Sequence, residues 1–89
     1  MSQAFNYKNI ATNTTTTVKT GQGMLHSITI NTTAAGAITV YDNTTNSAPI
    51  IATIAASPVI GSVFRYDVAF ATGLTIVTAA ASDITVSYS

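Results

Sequence analysis

Apolar and polar residues alternate along most of the chain, and no window carries the three-to-four spacing of an amphipathic helix. "SITI" (27–30) sets Ile28 and Ile30 on one face, and "AITVYD" (37–42) does the same with Ile38 and Val40. The longest alternating run, "SVFRYDVAF" (62–70), places Phe64, Tyr66, Val68 and Phe70 on one side and Val63, Arg65, Asp67 and Ala69 on the other. "IIATIA", "LTIVT" and "ITVSYS" add further strands, with weaker candidates in "AFNYKNI" and "TTTTVKT" near the start. Clusters of Asn, Gly, Pro, Ser and Asp separate these runs. Among them "NTTAAG" reads as a hairpin loop, with Gly36 free to take positive φ. About seven to eight short strands at near-regular spacing predict an all-β fold, a compact antiparallel β-sandwich. Jelly-roll, immunoglobulin-like and open-barrel connections all suit this pattern.

Composition narrows what such a sandwich can do. The 89 residues allow one small domain, and a domain this size is marginally stable unless a disulfide, a metal or association supports it. Cysteine is absent, so association is the remaining support. Charged residues are only 7% of the chain while hydrophobic ones reach 47%, and the formal net charge is zero. A near-neutral surface of Thr, Ser, Asn and small apolar side chains favours self-association over repulsion. Lys8, Lys19 and Arg65 are scattered and form no basic patch, which argues against nucleic-acid binding. The longest apolar region, "APIIATIAASPVIG", is broken by prolines and too short to span a bilayer, so no membrane partner is expected.

Candidate chemistry is sparse. "GQGMLH" (21–26) lacks the third glycine of a dinucleotide fingerprint and runs into a strand, so it reads as a turn. His26 alternates with Met24, Ile28 and Ile30, which places it on the inward face near a strand end, or at a rim if the strand twists there. With no nucleophile or carboxylate nearby in sequence, it is a structural or interfacial histidine ahead of a catalytic one. "YDNTTN" (41–46) gathers oxygen ligands, but one carboxylate is too few for a tight calcium site, and Asx turns explain it. Arg65 and Asp67 share a face of the longest strand; paired with each other or across a subunit boundary they suit register or partner choice, and as solvated surface charges they carry no role. The three "NTT" sequons are by-products of Thr-rich loops, since "MSQAFNYKNI" shows no secretory signal. Tyr7, Tyr41, Tyr66 and Tyr88 are dispersed, and without Glu no glycosidase acid pair can be drawn. No enzyme, cofactor or metal site is expected.

"GQGMLHSITINTTAAGAITVYDNTT" and "YDVAFATGLTIVTAAASDITVSYS" resemble a group of small bacteriophage proteins. The matching positions are Gly21, Gly23, Leu25, Ile28, Ile30 and Asn31, then Val40, Tyr41 and Asp42, then Phe70, Gly73, Leu74, Ile76, Asp83, Val86 and Tyr88. The resemblance covers about residues 14–89 and implies a virion structural protein without catalytic residues. It implies a homo-oligomer that contacts itself and the major capsid protein or other virion proteins. Assembly would take place in the host cytoplasm, with the virion as final location.

The reading expected from these features is a homo-oligomeric capsid decoration protein, with residues 1–20 as an extended contact arm and 21–89 as the sandwich domain. Phe5, Tyr7, Thr16, Val18, His26, Arg65 and Asp67 are the expected interface residues. Deleting residues 2–20 is expected to abolish assembly and leave the core folded. The alternatives are a receptor- or glycan-binding module of a tail or fibre, and a self-polymerising filament subunit.

Overall fold

A computed structural model of the chain describes residues 5–89. Eight strands follow one another: β1 (Asn6–Ile10), β2 (Thr14–Thr20), β3 (Gly23–Thr32), β4 (Ile38–Tyr41), β5 (Ile50–Ile54), β6 (Val63–Phe70), β7 (Gly73–Thr78) and β8 (Asp83–Tyr88). They form two four-stranded sheets, ordered β1-β8-β3-β6 and β2-β7-β4-β5, in which every pairing is antiparallel. The two halves of the chain mirror one another. Asn6 faces Tyr88, Thr14 faces Thr78, Gly23 faces Phe70, and Ile38 faces Ile54. The chain is therefore one long antiparallel ribbon, doubled back at loop 43–49 and rolled so that β3 also meets β8 and β4 meets β7. This is the strand order of an eight-stranded jelly roll, and the sandwich predicted from alternation is the fold.

The core lies between the sheets. Ile10, Leu25, Ile28, Ile30, Phe70, Ile84 and Val86 from one sheet meet Ile38, Val40, Ile54, Leu74 and Ile76 from the other, all nearly or wholly buried. The molecule is only 16 Å thick along its shortest axis, as expected for two sheets about 10 Å apart. Threonines face one another along the strands, with Thr29 opposite Thr85, Thr39 opposite Thr53 and Thr17 opposite Thr75. Such β-branched pairs suit a pleated surface without needing charge.

Two expectations about this segment are corrected. "NTTAAG" is no hairpin loop, because β3 and β4 belong to different sheets and the segment crosses between them. Alternation identifies a strand but not its partner, and β4–β5 is the only consecutive pair joined within a sheet among the described residues. Gly36 is not among the residues at positive φ. It is required by a close approach instead, since a Cβ there would lie 2.6 Å from the backbone nitrogen of Ala80 and 2.7 Å from the carbonyl carbon of Ala79.

The division at residue 20 also moves. β1 and β2 are edge strands of the two sheets, paired with β8 and β7. Ile10 is 3% exposed, and Val18 packs against the core. Residues 5–20 are thus part of the sandwich, and deleting 2–20 strips one strand from each sheet instead of leaving the core intact. Residues 1–4 of the expected arm lie outside the described residues.

Because Gly36 meets rigid backbone, Gly36→Ala should destabilise the fold by about 2 kcal/mol, read as a lower urea midpoint at unchanged m-value.

Candidate functional site

On the outer face of the β1-β8-β3-β6 sheet, three of the expected interface residues come together. His26 stacks on Phe5 with ring centroids 4.2 Å apart and planes 9° from parallel. Its Nδ1–H donates to Asp67 Oδ1 at 2.5 Å, since an ionised carboxylate can only accept. A bulge sets this arrangement. Between Leu25 and Ser27 the register of β3 shifts against both β6 and β8. The extra step lets Leu25 and Ile28, three residues apart, both point into the core. His26 is left on the outside, neither inward nor at the strand-end rim. Opposite it, Asp67 adopts φ +50°, a conformation that Asp tolerates better than most residues. Simple alternation could not show this, because the phase of the strand changes at His26 itself.

The other expected interface residues are dispersed. Tyr7 on β1 is 75% exposed, and Arg65 on β6 is exposed opposite Ser27. Thr16 and Val18 on β2 are half-buried, with Thr16 facing Ile76 of β7 and Val18 packed on the core. Among the described residues His26–Asp67 is the single contact between a basic and an acidic side chain, so Lys8, Lys19 and Arg65 have no carboxylate partner.

The remaining carboxylates serve the fold. Asp42, at the end of β4, accepts hydrogen bonds from the backbone N–H groups of Ala71, Thr72 and Gly73 at 2.9–3.4 Å. It thereby fixes the β6–β7 turn against loop 43–49. The N–H donors of Thr72 and Ala71 hold its carboxyl below the ordinary aspartate range. These donors occupy the carboxylate that the calcium reading of "YDNTTN" would have needed. Asp83 accepts from Asn9 Nδ2 at 2.6 Å and Asn31 Nδ2 at 3.3 Å, tying β1, β3 and β8 together. In "GQGMLH", Gly21 turns at φ +89° with its N–H on the carbonyl of Thr72, and a Cβ on Gly23 would overlap the carbonyl oxygen of Ser89. Both glycines are explained by the turn and the close approach.

A surface that the sequence reading missed lies on the side formed by the edge strands β5 and β6. Ile50, Val59, Ile60, Val63 and Val68 are exposed there, between 37% and 74%. Between the strands runs a groove of about 380 Å³, lined by Ile54, Pro58, Val59, Phe64 and Tyr66 among others. Burial in this groove pushes the Tyr66 phenol above its ordinary value. The available signal was "SPVIG", where two large apolar residues occupy a turn between Pro58 and Gly61 with no core to face.

All four sheet edges oppose ladder extension. β1 carries Lys8, and β2 carries Lys19 beside a register shift. A register shift interrupts β5 at Ile51, opposite Val40 and Tyr41. β6 carries Arg65, Asp67 and the bulge opposite His26. Charges and bulges are the devices that keep an edge from templating another strand.

Two outcomes follow from this geometry. His26→Ala should cost about 1 kcal/mol and raise amide exchange at Asn6–Lys8 while β7 stays protected, because the stack holding Phe5 is lost. Asp42→Ala should lower the melting temperature at neutral pH. A carboxyl held below its ordinary value contributes stability fully present above the unfolded value near pH 3.9 and lost as pH falls through the lower folded value. The gap between wild type and Asp42→Ala should therefore close on acidification below about pH 4 in a pH-dependent melting series.

Compared with family models, curated proteins and solved structures, the chain finds no match.

Proposed function

We propose that the chain is a structural protein of a bacteriophage virion, a homo-oligomeric capsid decoration protein that works by repeated protein–protein contacts with itself and with capsid or other virion proteins. The observation that carries this reading is the apolar side between β5 and β6. A 9.2 kDa domain that leaves Ile50, Val59, Ile60 and Val63 in water beside an apolar groove carries a surface suited to being covered. The jelly roll supports the reading at the level of architecture, since viral capsid domains use it, although lectins and cupins use it too. The residues of the phage resemblance fall mainly in the core and at turns: Leu25, Ile28, Ile30, Val40, Leu74, Ile76 and Val86 are fully buried, and Asp42 and Asp83 brace backbone and strands. They specify the sandwich and not a reaction.

Two other readings are weaker on specific grounds. A glycan-binding module needs aromatic rings gathered in one groove, yet of the tyrosines only Tyr66 lines the groove, and Tyr7 sits on the opposite edge of the same sheet. A filament built by strand exchange needs an open edge, and each of the four is blunted. No enzymatic role is proposed, because the His26–Asp67 pair has no nucleophile hydrogen-bonded to it among the described residues and does not line the groove.

Native mass spectrometry of the purified protein should give a discrete oligomer. Quantitative mass spectrometry of gradient-purified particles carrying this gene should find many copies per virion. A monomer at all concentrations would remove the homo-oligomer, and absence from the particles would remove the virion assignment.

A further inference from the structure

We propose that β6 forms a two-fold interface with β6 of a second copy, in which Arg65 of each chain pairs with Asp67 of the other. The inference rests on the homo-oligomer reading above and names the surface that would make the contact. Arg65 and Asp67 are two residues apart on the exposed outer side of an edge strand. Although they are close in sequence, no ion pair joins them. Asp67 turns to His26 through Oδ1, its side chain is still 50% exposed, and Arg65 has no ionic partner among the described residues.

A positive and a negative group side by side are self-complementary under a two-fold axis passing between them, here beside Tyr66. The axis sets each plus against a minus, and opposite charges facing one another across antiparallel segments are favourable. The same operation places Val63 against Ala69 of the second copy, and Phe64 against Val68. Val63 and Val68 are among the exposed large apolar residues of this side, and Phe64 is half-buried at the groove. Apolar thus meets apolar while charge meets its opposite.

The other edges offer no such match. β1 and β2 each present a lone lysine, so no two-fold axis there sets a charge against its opposite. β5 presents no charge to set a register. The bulge at Asp67 disfavours a continuous ladder across the β6 seam, so the contact is made through side chains.

The test uses the full chain and sedimentation equilibrium. Wild type should be a dimer or an even-numbered oligomer. Val63→Lys, on an exposed position, should weaken self-association at least about thirtyfold, whereas Tyr7→Lys on the far edge should leave it unchanged. The decisive arm mixes two variants. Arg65→Glu leaves two negative groups on β6, and Asp67→Lys leaves two positive ones. Each should dissociate alone, and together they should form a mixed dimer of near wild-type strength. Circular dichroism checks that each remains folded. If Asp67→Lys does not fold because of its strained backbone, Val63→Lys and Arg65→Glu against Tyr7→Lys decide the matter. A wild-type oligomer indifferent to Val63→Lys and Arg65→Glu would overturn this interface and leave the homo-oligomer standing. An oligomer weakened by both but not restored in the mixture would overturn the two-fold pairing. A wild-type monomer would overturn both readings.

Discussion

Everything in this molecule depends on the apolar layer between its two sheets. Twelve residues nearly or wholly removed from water supply the adhesion, and no disulfide backs them up. Each strand must therefore keep its apolar set on one face, because a one-residue slip turns that set outward. The β3 bulge shows how strict the requirement is. Ser27, between Leu25 and Ile28, would break the alternation, and the chain absorbs the extra step by pushing His26 to the outside. The Phe5–His26–Asp67 cluster is thus a consequence of core packing, built where the strand had to change phase.

A rolled ribbon of this kind has four open edges, and the chain has very few charges with which to guard them. All three cations lie on edge strands, as Lys8, Lys19 and Arg65, and Asp67 lies on one too. The other two carboxylates are engaged in hydrogen bonds that brace a turn and three strands. Bulges complete the protection on β2, β5 and β6. The faces of the sheets need no charge, because opposed threonines such as Thr29–Thr85 and Thr39–Thr53 satisfy both β propensity and contact with water. The distribution of charge therefore follows the edges and not the faces.

Strand positions were legible because period-two alternation and turn residues act locally. Even the weak candidates "NYKNI" and "TTTTVKT" are strands. Their partners were not legible. Ile10 is paired with Ile84 by the global roll, and nothing near Ile10 announces that contact, so the segment read as an arm. Gly36 was recognised as significant but for the wrong cause, since the Ala79–Ala80 backbone that excludes a side chain is distant in sequence. Of the candidate site, Arg65 and Asp67 were visible as a charged pair on one strand, while the meeting of Phe5 with His26 needed the bulge. The apolar side had one local signal, Val59 and Ile60 in the turn between Pro58 and Gly61, but its extent was hidden because only the fold shows that no opposite layer covers it.

Scarcity of charge also bears on specificity. A surface made of threonine and small apolar groups adheres without much discrimination, since area and hydrophobicity alone fix neither partner nor register. Discrimination must then come from the few charges that remain exposed. Lys8 and Lys19 are single charges with no opposite charge on their own strands. Arg65 and Asp67 are the one neighbouring pair of opposite sign, and they border the exposed apolar side. Adhesion and orientation are thus available on the same strand. A protein that must make one contact many times needs both together, because adhesion without orientation leads to aggregation and orientation without adhesion does not hold.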